Sequence, residues 1–349
     1  MVDWSLATQI ARFAAGGAKV PDLGVDLDHL AADAEQQVGR YTGLELPGPA
    51  PLPELVDRST WAEINIDTLS SFIDPVGDRL SDRLERAGAL AGPLRTAAAA
   101  TLAAEVGLVA GYMSQRVLGQ YEISLLQPEQ EARLLFVGPN LVKAIGELGL
   151  ERDGFLAWIV FHEMTHVFQL AGVAWLRPHL AGLLREYLET VEVQIQRGAA
   201  GGLPSFPKPA EVVEAYREGG LAALVQTREQ RGIMRRLQAV MAVVEGHSEH
   251  VMDAVGAQVL PGYERMREAM DRRRQSRSAP ARILERLLGL DLKMRQYVIG
   301  KKFCDAVVES HGVAVLNRVW EAAEFLPTLS ELERPADWVA RVQTTPAAA

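Results

Sequence analysis

The chain has 349 residues, 48% apolar and 23% charged, a globular composition long enough for one large domain or two ordinary ones. Its net charge of -9 argues against a general nucleic-acid binder, and no uncharged run of about 20 apolar residues is present to cross a membrane. The lone cysteine, Cys304, excludes an intrachain disulfide and a metal site built on two or more thiolates. Cys304 itself reads as a small buried apolar residue.

The opening MVDWSLATQIARFAAGG lacks the basic start and unbroken apolar core of a signal peptide, so a cytoplasmic protein is expected. Ala, Leu, Glu and Arg dominate, and apolar residues recur every three to four positions, which predicts a mainly helical chain. Helices are expected over 4–15 and 26–40, followed by a Pro/Gly-rich connection over 43–53 and a helix over 57–73. Residues 76–118 read as helical with a break near Gly92-Pro93, and the Ala and Gly run across 97–111 predicts close helix packing. Residues 117–125 and 133–138 are the best strand candidates, a hairpin or small edge joined by a polar turn. Pro139 opens another helix. Further helices are expected over 153–172, 179–198, 210–226, 228–257 and 281–324, with loops at 200–209 and at the basic stretch 271–280.

Within the helix over 153–172 stands FHEMTHVFQL. His162-Glu163-Met164-Thr165-His166 is H-E-x-x-H. A helix turns about 100° per residue, so the two histidines share one face and can reach one ion. Glu163 lies about 100° round from His162, poorly placed as a ligand but well placed to touch a water in the ion's open position. With Zn²⁺ acidifying that water, Glu163 is the expected general base. The surrounding Trp158, Ile159, Val160, Phe161, Met164, Val167, Phe168 and Leu170 make the helix apolar nearly all round, so it should be buried. A continuation with Gly three and His six residues after the second histidine is absent, because Gln169 and Gly172 occupy those places. The third ligand must therefore come from elsewhere.

The best source is VVEGHSEHVMD, residues 243–253. Taking Glu245 as the reference, Glu249 lies about 40° away on the helix, His250 about 140° and His247 about 160°. Glu245 is thus the expected third ligand, and Glu249 is expected to accept the free N–H of a ligating histidine and orient its ring. His250 or His247 as third ligand is the rival arrangement. Gly246 inside a helix costs about 1 kcal/mol relative to Ala, which close approach of another helix would explain. His29, His179 and His311 read as surface or structural residues. Tyr297, Arg295 and Tyr121 are candidates to stabilise a developing oxyanion, with Tyr297 preferred.

Across these residues the sequence resembles the zincin-like metallopeptidases of type two, hydrolases of actinobacteria and chloroflexi. One branch of that family is associated, through gene neighbourhood, with biosynthesis of the deazaflavin coenzyme. The matching pieces are VDWSLA at 2–7, DRSTWAEIN at 57–65, GQYEIS at 119–124, FHEMTHVFQ at 161–169, VVEGHSEHVMDAVG at 243–256 and KMRQYVIGKKF at 293–303. The resemblance implies one zincin-like domain over 1–349, with an N-terminal helical part (1–150) and a metal-site part (151–345). It also implies zinc at His162, His166 and Glu245, with Glu163 as base. It implies no substrate.

The leading expectation is a zinc-dependent metallopeptidase acting on a peptide or small amide, without nucleic-acid or membrane partners. The alternatives are a catalytically inactive, metal-stabilised binding or scaffold protein, and a non-peptide amidohydrolase tied to deazaflavin metabolism. Only the 117–138 region could supply the edge strand on which an extended peptide would lie.

Overall fold

A computed structural model of the protein describes residues 2–84, 91–127, 129–199, 227–275 and 290–345; the side chains of 75–84, 91–95, 98, 191–199, 274–275 and 290–297 lie outside that description. The helix expected over 210–226, the loop at 200–209 and residues 276–280 of the basic stretch therefore fall outside the described residues, whereas 271–275, expected as loop, continue a helix that ends at Gln275. Among the described residues the architecture is mainly helical, as the sequence predicts, with one small three-stranded sheet where a hairpin or edge was expected. The chain packs as two compact units, Met1–Glu35 with Pro49–Met164, and Gln36–Gly48 with Thr165–Ala349. Among the described residues, no helix is long and apolar enough to cross a membrane.

In the first unit, α1 (Trp4–Ala15) starts at Asp3, whose carboxylate accepts the Leu6 N–H at 2.9 Å. Its buried stripe is Ala7, Ala11 and Ala15, four apart and all small. Small residues let backbones approach, and α4 (Ala91–Ser114) answers with glycines. A Cβ on Gly107 would stand 2.5 Å from the Ala7 carbonyl oxygen, and one on Gly111 2.5 Å from the Ala14 Cβ. This is the close packing predicted from the Ala and Gly run. In chain order α2 (Leu27–Thr42), a strand β1 (Pro53–Val56) and α3 (Arg58–Leu84) follow α1.

The strands β2 (Gly119–Glu122) and β3 (Arg133–Val137) pair antiparallel, with Gly119 opposite Phe136 and Glu122 opposite Arg133. They are the two strands read from the sequence. The missed strand is β1, which pairs parallel to β3, Pro53 with Leu134 and Val56 with Val137. Its four residues, begun by a proline at the sheet edge, are too few to show alternation. The order β1-β3-β2 leaves β2 as an edge. Val56, Leu135 and Val137 join Ala11, Trp61, Ala62 and Ile66 in a core cluster. The sheet leads into α5 (Gly138–Leu148), with Pro139 in its first turn, and then α6 (Arg152–Val167).

The second unit is built on α7 (Leu176–Ala199), α8 (Arg228–Val259), α9 (Tyr263–Gln275) and α10 (Leu290–His311), then α11 (Val313–Leu316), α12 (Leu329–Glu333) and α13 (Pro335–Thr344). The long α8 is opened by a capping box between Thr227 and Gln230. It crosses α10 at two glycines. A Cβ on Gly246 would stand 2.1 Å from the Gly300 carbonyl carbon, and one on Gly300 1.8 Å from the Ala242 carbonyl oxygen. Gly246 is thus explained as foreseen, by another helix lying directly against it. Of the helical stretch expected over 281–324, residues 281–289 lie outside the described residues, and the remainder is helical with a break at Gly312, whose φ of 81° only glycine adopts readily.

Candidate metal centre

Helix α6 begins where the Glu151 carboxylate accepts the N–H groups of Asp153 and Gly154 at 3.0 and 2.6 Å, which holds that carboxyl below its ordinary pKa. Phe155, Leu156, Trp158, Ile159, Val160, Phe161, Met164 and Val167 are all buried, so the helix lies in apolar surroundings. Apolar packing on nearly every side leaves its polar residues few directions to take. Glu163 is 6% exposed, and His162 and His166 are half-buried.

Strand β2 receives Glu163. The Tyr121 N–H donates to Glu163 Oε2 at 3.0 Å, and a Cβ on Gly119 would stand 2.7 Å from Glu163 Cγ and 2.9 Å from Oε1. Two alternate residues of an edge strand, one by its N–H and one by its missing side chain, therefore form the seat of this carboxylate. The sequence offered Tyr121 as an oxyanion donor; the structure brings its backbone N–H to the base.

Past His166 the helix does not continue in α form to Gly172, as the sequence suggested. Residues Phe168–Gly172 form a π turn. Such turns insert a residue and re-aim side chains, often at functional sites. The segment 36–48 brackets it. The Phe168 ring lies 3.2 Å from where a Gly39 Cβ would be, and a Gly172 Cβ would stand 2.6 Å from the Glu45 carbonyl oxygen. The turn carries Gln169, which is buried, to the ring of His166, with Oε1 2.8 Å from Nδ1. Gln169 Nε2 donates to the Val244 carbonyl at 2.8 Å and lies 3.0 Å from His247 Nδ1. Sequence reasoning missed Gln169. The signal was a polar residue three positions after His166 in an apolar run.

One ligand atom each from His162, His166 and Glu245 lie within 4.8 Å of one another, a group able to hold a metal ion. His166 Nε2 and Glu245 Oε2 are 3.6 Å apart. Tetrahedral zinc ligands at about 2.1 Å stand about 3.4 Å from one another, so this pair is spaced for a shared ion. Two imidazoles and a carboxylate are also the donor set of catalytic zinc sites that keep one position open.

The rivals for third ligand are engaged in other ways. His247 is fully buried between Gln169 and the Trp320 ring, whose centroid lies 5.0 Å away nearly edge-on. Burial, then the nearby His250 and His166, push its pKa down to about 3. His250 stands between the Tyr41 hydroxyl at 2.7 Å and Asp305 at 2.8 Å. Glu249 is buried against Arg267. Lys301 links Asp253 at 2.8 Å to Asp305 at 2.6 Å, so α8, α9 and α10 share one ionic network. Burial alone would raise the Asp305 pKa, but hydrogen bonds from His250 and Lys301 outweigh it and hold it below the usual value.

Residues 2–339 match the family model described as zincin-like metallopeptidase. The chain belongs to this family. No curated protein matches it. Among solved structures it is similar to a candidate hydrolase with a novel fold from Chloroflexus aurantiacus, 29% identical over 99% of this chain and 100% of that one, with a TM-score of 0.73.

Of the other residues proposed for this zincin-like chain, Tyr297 and Arg295 lie on α10, with side chains outside the description. His29 and His311 are exposed, and His179 packs edge-on against Trp175. Cys304 is buried, and its thiol is pushed far up in pKa, chiefly by burial.

Proposed function

We propose that the protein is a zinc-dependent hydrolase of amide bonds, with peptides as its substrate class. The observation that carries this reading is the convergence of His162, His166 and Glu245 to within 4.8 Å, on a chain of the zincin-like metallopeptidase family. A zinc ion there supplies Lewis acidity, which acidifies water and polarises a carbonyl.

The protein's own groups do the rest. Glu163 takes a proton from the attacking water and returns it to the departing nitrogen. The Tyr121 N–H on its Oε2 steadies the carboxylate between those steps. Glu249, one turn beyond Glu245 and paired with Arg267, would accept the ring N–H of the ligating histidine that Gln169 does not serve. Tyr297 is the candidate donor to the oxyanion. The edge strand β2 supports the peptide reading, since an extended chain laid along such an edge gains main-chain hydrogen bonds.

Metal analysis combined with a peptide-library digest of the wild type and Glu163→Gln tests this. Zinc should be bound by both proteins, and the variant should cleave about 10²–10⁴-fold more slowly. A wild type that binds zinc and cleaves no peptide overturns the peptidase assignment. A wild type that binds no zinc overturns the metal centre.

A further inference from the structure

The amide of Gln169 touches three groups, and only one of them has a fixed role. A backbone carbonyl can only accept, so the Gln169 end facing the Val244 oxygen at 2.8 Å must be the NH₂. The oxygen then faces His166 Nδ1 at 2.8 Å, and an oxygen can only accept. His166 must therefore carry a proton on Nδ1, and in the neutral ring the lone pair is then on Nε2, the atom that lies 3.6 Å from Glu245 Oε2. The second N–H of the amide, 3.0 Å from His247 Nδ1, makes that nitrogen an acceptor and puts the His247 proton on Nε2. Buried His247 Nε2 has no hydrogen-bond partner, and the Trp320 ring stands edge-on to the imidazole.

We propose that Gln169 is a positioning residue for the metal centre, fixing the His166 ring as the tautomer that presents Nε2 to a divalent cation. The Val244 carbonyl and neutral His247 fix the direction of the Gln169 amide. Outer-shell partners of ligating histidines are more often backbone carbonyls or ionised carboxylates, which offer only acceptor atoms. A carboxamide can also point the wrong way, and a flipped amide would set its NH₂ against His166 Nδ1 and favour the wrong tautomer. His247 and the Val244 carbonyl prevent the flip. His247 thus has a task even though it is not a ligand. The inference rests on the metal-centre reading only for its consequence, because the tautomer is a property of the metal-free protein.

Two measurements test it. Nitrogen-15 NMR of the metal-free wild type, at a pH where His166 is neutral, should show its proton on Nδ1. Competition with a chromophoric chelator should show zinc bound about 10–100-fold more weakly by Gln169→Leu. His247→Phe keeps the Val244 contact and fills the space beside Trp320, so zinc should weaken less than in Gln169→Leu. A proton found on Nε2 of His166 in the wild type overturns the proposal, whether or not zinc binds. So does a folded Gln169→Leu that holds zinc within about twofold of the wild type. If the tautomer is as stated but the wild type binds no zinc, the hydrogen-bond chain stands and the metal-centre reading fails.

Discussion

Glu163 and Glu245 are both buried carboxylates on helices, yet they are held by different means. Glu163 is seated by backbone, with the Tyr121 N–H on one oxygen and the bare Cα of Gly119 beside the other. Glu245 is placed by the register of two helices, through Gly246 against Gly300 one residue away. A backbone seat tolerates any side chain that leaves the strand in place but forbids a Cβ at one position. A glycine crossing tolerates changes around it but forbids any change at the crossing. Both carboxylates therefore depend on residues that have no side chain.

Substitutions at those glycines separate the two modes of support. The largest effect should come from Gly300→Ala. Its Cβ would stand 1.8 Å from the Ala242 carbonyl oxygen, so backbone must move. The expected loss is about 2–3 kcal/mol of stability, read from the urea midpoint, with zinc affinity falling alongside. An unchanged midpoint would mean the helices part without cost, and the register argument would fail.

Gly119→Ala should act differently. The added Cβ meets Glu163 Cγ and Oε1, the end of a side chain that can give way. Stability and zinc content should hold while kcat/KM falls about 10–100-fold, since small displacements of a catalytic group carry penalties of that order. Full activity in this variant would show that the seat on β2 does not set the base.

The smallest effect concerns the ionic network behind Glu245. The folded pKa of Asp305 lies below its ordinary value of 3.8. The unfolded chain therefore takes up the proton first as pH drops. The stabilisation is complete above about 3.8 and is lost as pH falls through the lower folded value. With the carboxylate 42% exposed, its worth is under about 1 kcal/mol. Urea midpoints of the wild type and Asp305→Asn should differ more at about pH 6 than at about pH 3. A gap that grows in acid would reverse the sign.

Much of the site was legible because it is local. The spacing of His162 and His166 is set by one helical turn, and the direction of Glu245 relative to His247 and His250 by the same rule applied to α8. Gly246 announced a neighbour by its cost. What stayed hidden was tertiary. Nothing in PELV marks a strand, because β1 exists by pairing with β3. Gln169 looked like a failed match to a longer motif. It acquires a role only once the π turn redirects it toward His166, Val244 and His247. Tyr121 was considered for its ring, whereas its contribution here is an N–H that every residue except proline possesses.

The Val244 carbonyl has a consequence for how such a site ages. Every side chain around the two histidines is exposed to genetic drift, but the oxygen that orients the Gln169 amide belongs to the main chain. No point mutation at position 244 deletes it. The protonation pattern of two imidazoles is thus anchored to an atom outside the reach of the codon that specifies its residue, and random mutagenesis can reveal Gln169 and His247 while never hitting the group that instructs them.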